Sequence, residues 1–123
     1  LILPERRSAG LTETVDTVSA GALEHLLVAR VTNLVRAMED LKDKGLWLIG
    51  AEGSGDEPWY AFDYTGPIGI VLGSEGKGLR PLVRKTCDKV LAIPLAGKVE
   101  SLNVAAAAAV FLFEVVRQRR VAK

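Results

Sequence analysis

The apolar run Ile68-Gly69-Ile70-Val71-Leu72 stops at a glycine-rich stretch, Gly73-Ser74-Glu75-Gly76-Lys77-Gly78, and a modest helix from Leu79 to Thr86 follows. That order, strand then glycine loop then helix, constrains the fold more than any other feature, because it recurs in looser form along the chain. Leu46 to Ala51 and Val90 to Ile93 read as further buried strands, and Leu1 to Leu3 and Val28 to Val31 as shorter ones. Between Val31 and Leu46, Leu34, Val35, Met38 and Leu41 fall on one face of a helix, with Arg36, Glu39, Asp40 and Asp43 on the other. Thr32 or Asn33 can cap its start and Gly45 stops it. Thr12 to Leu26 holds a short helical stretch interrupted by Gly21, Glu52 to Pro58 is a polar turn region, and Ser101 opens a long Ala-rich helix to about Arg120. Alternating strands and helices predict an α/β fold, a parallel sheet flanked by helices with right-handed crossovers. Ligands of such sheets sit beyond the carboxyl ends of the strands. Two loops occupy that position, Gly73 to Gly78 and Pro94 to Glu100.

Composition agrees with this architecture. The 123 residues suit one domain, with 49% hydrophobic and 25% charged residues, the apolar share being mostly Val, Leu, Ile and Ala. A net charge of +1 does not announce a nucleic-acid binder, so any RNA affinity has to come from local clusters. Cys87 and His25 are the only residues of their kinds, which excludes an internal disulfide framework and predicts no metal site. A reducing, cytoplasmic setting is the simple inference. No uninterrupted apolar run approaches the roughly 20 residues of a membrane helix, so no membrane partner is expected. Leu1-Ile2-Leu3 reads like the end of a buried strand, and sequence is expected upstream of it.

The glycine loop does not fit the common phosphate-binding patterns. Gly73 and Gly78 match the glycines of a P-loop, but Leu79 and Arg80 stand where Lys and Ser or Thr are needed, and Glu75 would bring negative charge into a phosphate cradle. A dinucleotide fingerprint fails because Pro81 takes the place of the third glycine. A plain tight turn remains open. In the second loop, Ile93-Pro94-Leu95-Ala96-Gly97 leads through Lys98-Val99-Glu100 to Ser101-Leu102-Asn103-Val104. Ser101 is a plausible N-cap, and Asn103, a poor helix former in the first turn, suggests a task other than stability.

Together the two loops resemble the second and third motifs of the SpoU family of RNA ribose methyltransferases. The second motif matches Ile68 to Leu79, the third matches Ile93 to Gly97 and Ser101 to Val104, and order and spacing both agree. Ile2-Leu3-Pro4 and Ser19-Ala20-Gly21-Ala22 also look like this family, especially its branch acting on guanosine of ribosomal RNA. The resemblance implies that residues 1–123 form a SpoU-type catalytic domain with a deep trefoil knot in its C-terminal part. It implies S-adenosylmethionine as cofactor, a homodimer, and methyl transfer to a ribose 2′-hydroxyl of RNA by in-line attack without a metal, with ribosomal RNA ahead of transfer RNA as substrate. Carried over residue by residue, Gly73, Ile93 and Leu102 would contact the cofactor, with backbone groups of Leu72 and Leu95 as neighbours. Glu75, Ser101 and Asn103 match the polar active-site positions and would orient the ribose, a catalytic arginine or the cofactor.

The chain departs from the family in two places. The first motif, Asn-x-Gly followed by the Arg thought to activate the hydroxyl, is absent, since neither Asn33 nor Asn103 begins one and Arg6 and Arg7 lie past the matching strand. A weak nucleophile needs such a group, so an N-terminally truncated domain with weak or no activity is expected. Ala105 stands where the family often has Ser. The competing reading is a non-catalytic RNA-binding or dimerisation module. His25 and Cys87 are expected to be buried or partly buried, Trp47 to be core or dimer contact, and Trp59 and Tyr60 to pack. Lys77, Arg80, Arg84 and Lys85 are equally consistent with RNA phosphates and with a solvated face, while Arg117, Arg119, Arg120 and Lys123 suit the C-terminal end of a helix dipole.

Overall fold

The computed structural model describes residues 1–4, 27–55, 57–73, 78–94 and 103–122. The expected helical stretch from Thr12 to Leu26, His25, Arg6 and Arg7 lie outside the described residues. Two compact units divide the chain, residues 1–37 and 38–123.

In the first unit, β1 (Ile2–Pro4) pairs in parallel with β2 (Ala29–Val31), Leu3 opposite Arg30. Leu1 and Ile2 are 57% and 38% exposed, so this strand is not buried on both faces as its apolar run suggested. Asn33 caps α1 (Leu34–Asp43), whose residues from Met38 onward belong to the second unit: its Oδ1 accepts from the Arg36 N–H at 3.1 Å. Along α1 the buried stripe and the charged stripe fall where the periodicity puts them, with Met38 buried. Gly45, at φ 96°, supplies the left-handed turn that ends the helix.

The second unit is built on a sheet of four parallel strands in the order β4, β6, β3, β5, with β3 (Trp47–Ala51), β4 (Glu57–Pro58), β5 (Ile68–Leu72) and β6 (Lys89–Ala92). The helix α2 (Pro81–Thr86) precedes β6, and α3 (Val104–Val121) ends the described chain. Proline at the first position of α2 loses no helical hydrogen bond, because that N–H has no partner inside the helix. β4 falls within the stretch that polarity and glycine content mark as a turn. It is two residues long, and its register against β6 sets Glu57 opposite Leu91.

Side chains alternate across this sheet. On one face Ile49 and Leu91, with Ala51, Ile68, Ile70 and Ile93, meet Phe111 and Val115 of α3 and an aromatic corner made by Trp59, Phe62 and Tyr64. Phe62 and Tyr64 meet edge to face at 5.3 Å. The loop carrying them is held to α3 by hydrogen bonds: the Tyr64 N–H donates to Gln118 Oε1 at 2.7 Å and Gln118 Nε2 donates to the Phe62 carbonyl at 2.9 Å. Arg119 donates to the carbonyls of Tyr64 and Gly66. The opposite face is built from Leu48, Gly50 and Val90 with Leu79 and Cys87 above them. At the amino end of the sheet Asp88 and Leu48 exchange two hydrogen bonds of 2.7 Å, and Lys42 of α1 reaches Asp88 at 3.5 Å.

Trp47 is 53% exposed and meets Phe62 at 6.0 Å, so it is a rim residue and not core. Trp59 is partly buried and stacks on Tyr60 at 4.8 Å, in line with its reading as a packing residue.

Candidate functional site

All four strands of the main sheet run parallel, so their carboxyl ends gather at one edge. Ala51 is in register with Leu72 on one side and Leu91 on the other, which places the ends of β5, β3 and β6 in one row. Gly73 continues β5 and Ile93 continues β6 on either side of the end of β3. Two strand spacings, about 10 Å, separate them.

Gly73 and Gly78 form the neck of the glycine loop. A Cβ on Gly73 would collide with the backbone carbonyl of Gly78 and lie 2.7 Å from the Leu79 nitrogen. Only a residue without a side chain lets the two strands of the neck come this close. Gly78 has φ 65° and would set a Cβ against the carboxylate of Glu52. The P-loop and dinucleotide patterns fail on residue types; the neck shows what these glycines do instead, which is to close the loop at its base.

Of the residues picked out from sequence, the structure brings Leu72, Gly73 and Ile93 to this edge. Leu72 is 37% exposed at the rim and Ile93 is half-buried against the core. Asn103 sits at the head of α3 and is its N-cap, its Oδ1 accepting from the Ala105 N–H at 2.8 Å. This corrects the assignment of the cap to Ser101. The helix opens at Val104, and an asparagine that is poor inside a helix is well suited to the cap position. Glu75, Leu95, Ser101 and Leu102 lie outside the described residues.

Sequence reasoning misses Glu52, the first residue of the supposed turn. It follows the central strand directly, and its Oε1 accepts from the Leu79 N–H at 3.0 Å. Its other oxygen pairs with Arg84. Arg84 is therefore engaged within the protein. The signal available is position alone: a carboxylate immediately after a buried strand at the ligand-bearing edge.

Cys87 is half-buried under Gly50, and burial, reinforced by the charge of Asp88, pushes its thiol up to about 11. A thiol held in its neutral form is a poor nucleophile, which agrees with its reading as a packing residue. Among the described residues no group of His, Cys, Asp and Glu could hold a metal ion, and no helix is long and apolar enough to cross a membrane.

The family model described as SpoU rRNA Methylase matches residues 1–113. A 23S rRNA (guanosine-2′-O-)-methyltransferase of Photobacterium profundum is 48% identical over 121 residues, covering 98% of this chain and 49% of that protein. The chain thus spans about half the length of the curated relatives it matches. Among solved structures, the SpoU methyltransferase AviRb of Streptomyces viridochromogenes, in complex with the cofactor AdoMet, superposes with a TM-score of 0.89 at 32% identity over 98% of this chain and 50% of its own. A TrmH/SpoU tRNA modifying enzyme of A. aeolicus superposes with a TM-score of 0.85 at 28% identity, covering 98% of this chain and 62% of its own.

Proposed function

The chain belongs to the SpoU rRNA methylase family, and from that premise we propose that it is the cofactor-binding part of an RNA 2′-O-ribose methyltransferase, acting on a guanosine of ribosomal RNA ahead of transfer RNA. The observation that carries this reading is the closed glycine neck at the carboxyl edge of the sheet, with the central strand between it and Ile93. S-adenosylmethionine, the proposed cofactor, supplies the methyl group that a ribose hydroxyl accepts.

The residues at the edge fit such a ligand. An adenosyl group needs apolar walls and backbone hydrogen-bonding groups. Leu72 and Ile93 provide the first, and main-chain groups of Gly73 beside them provide the second in this reading. Leu95 and Leu102 complete the wall in this reading. Glu75, Ser101 and Asn103 supply the polar groups, and Asn103 is held in place by its cap hydrogen bond. The family fold includes the deep trefoil knot, and the likeness to AviRb supports assigning it to this chain. Leu112, Phe113 and Val116, exposed by 54%, 75% and 46% along α3, support a homodimer. The setting proposed is the cytoplasm, where such RNA is found.

The Asn-x-Gly and Arg motif is not among these 123 residues. The chain alone is therefore proposed to bind cofactor and to transfer methyl groups weakly or not at all. Calorimetric titration with S-adenosylmethionine, with ATP and NAD as controls, tests the first part, and labelled-methyl transfer to ribosomal RNA tests the second. Selective binding, abolished by Leu102→Asp, is expected. A well-folded chain that binds all three ligands alike, or none, overturns the cofactor reading, and efficient transfer overturns the expectation of weak activity.

A further inference from the structure

Glu52 occupies a position at the sheet edge that touches both sides of the candidate site. Its N–H donates to the Leu91 carbonyl at 3.1 Å, carrying the β3–β6 ladder one residue past the strand. Its side chain turns the other way and accepts from Leu79 N–H, the first amide beyond the glycine neck. The missing Cβ of Gly78 leaves the space that the carboxylate fills. On its outer oxygen Glu52 pairs with Arg84 and accepts from the Ser54 hydroxyl at 3.2 Å, and Arg84 in turn donates to Ser54 at 3.0 Å. The Glu52 side chain is only 16% exposed. With three donors already on its two oxygens, this carboxylate is committed to the protein.

We propose that Glu52 is the positioning residue of the cofactor site, tying the neck of the glycine loop to the end of β6 so that Gly73 and Ile93 keep a fixed separation. This rests on the cofactor reading above. A hydrogen bond from a backbone N–H to a charged oxygen is among the stronger ones in proteins. Here it holds the main chain directly after Gly78, complementing the buried Leu79 side chain that packs over Gly50. Removing the carboxylate leaves the Leu79 amide without its partner and opens a space beside Gly78, so the neck loses its reference to the central strand. The effect on a ligand is indirect, because Glu52 acts through Leu79 and does not contact the cofactor.

The test compares Glu52→Ala and Glu52→Gln in this chain, by amide exchange at Leu79 and by titration with S-adenosylmethionine. Glutamine keeps a neutral acceptor of the same reach, whereas alanine has none. For Glu52→Ala, exchange at Leu79 is expected to speed up and the dissociation constant to rise, each by about tenfold or more, with amides of α3 still protected. Glu52→Gln, which keeps an acceptor for Leu79 but loses the charge and the pairing with Arg84, is expected to fall between wild type and Glu52→Ala in both. A general loss of stability would move the α3 amides too and would not be rescued by glutamine. Unchanged exchange at Leu79, or faster exchange with unchanged affinity, overturns the role of Glu52 while the cofactor reading stands. A folded wild-type chain that binds no S-adenosylmethionine overturns the cofactor reading and this role with it.

Discussion

The aromatic corner under α3 and the neck of the glycine loop are both anchored by polar side chains reaching across to a loop, Gln118 with Arg119 in the first place and Glu52 in the second. Around Gln118 the space is filled: Tyr64 and Phe111 are fully enclosed, and Ile49 and Leu91 close the sheet side. In the neck that Glu52 holds, Gly73 approaches the main chain of Gly78 and Leu79, and this depends on what Gly73 and Gly78 lack. The corner gets its shape from side-chain volume and the neck from the absence of it. Substitutions that remove atoms should therefore damage the first region most, and substitutions that add atoms the second.

The largest effect expected is from Phe111→Ala, which empties the centre of the corner and should cost about 3–5 kcal/mol of stability in urea unfolding. A loss near that of an exposed alanine substitution would mean that α3 is held by something other than this cluster. Gly73→Ala adds a single methyl where the Gly78 carbonyl and the Leu79 nitrogen already stand. Overpacking of this kind costs about 1–3 kcal/mol, and the affinity for S-adenosylmethionine should fall by more than about tenfold. If stability drops and affinity does not, the neck belongs to the fold alone. Gln118→Ala removes the partners of the Tyr64 N–H and the Phe62 carbonyl and should cost about 1–3 kcal/mol, with ligand affinity little changed. A matching loss of affinity would erase the distinction between the two regions.

The smallest effect is one of pH. Hydrogen bonds from Arg117 to Glu114, helped by Gln118, hold the Glu114 carboxyl at about 2, below its ordinary 4.5. A lowered value in the folded chain means that the unfolded chain takes up the proton first. The contribution of Glu114 is thus complete above pH 4.5 and fades as the pH falls from 4.5 towards 2. Urea midpoints measured across that window should fall less steeply for Glu114→Gln than for wild type. Parallel slopes would show that the carboxylate does not couple to folding.

Several of the elements on which this comparison rests are legible in the amino-acid sequence. Ile68–Leu72 reads as a strand with the bounds the structure has, because an all-apolar run against a glycine loop has few other solutions. The buried face of α1 follows from its period, and residue type narrows its cap to Thr32 or Asn33, of which the structure has Asn33. The start of α3 does not follow, since Ser101 and Asn103 are both good caps and only the observed hydrogen bond to Ala105 separates them. β4 escapes sequence reasoning because two residues carry no period; it exists through pairing with β6. Within the candidate site, the resemblance to the family's motifs points to Leu72, Gly73 and Ile93, while Glu52 carries no local mark of its proposed role.

What the sequence determined by itself is local: which of the longer segments are strands or helices, which face of α1 is apolar, and which loops follow buried strands. Those properties depend on side-chain type and period over a few residues. The strand order β4, β6, β3, β5, the meeting of Gly73 with Gly78, and the reach of Glu52 from the central strand to Leu79 were decided by tertiary structure. Each depends on contacts that sequence period does not encode, and their energies arise only once the sheet has brought those residues together.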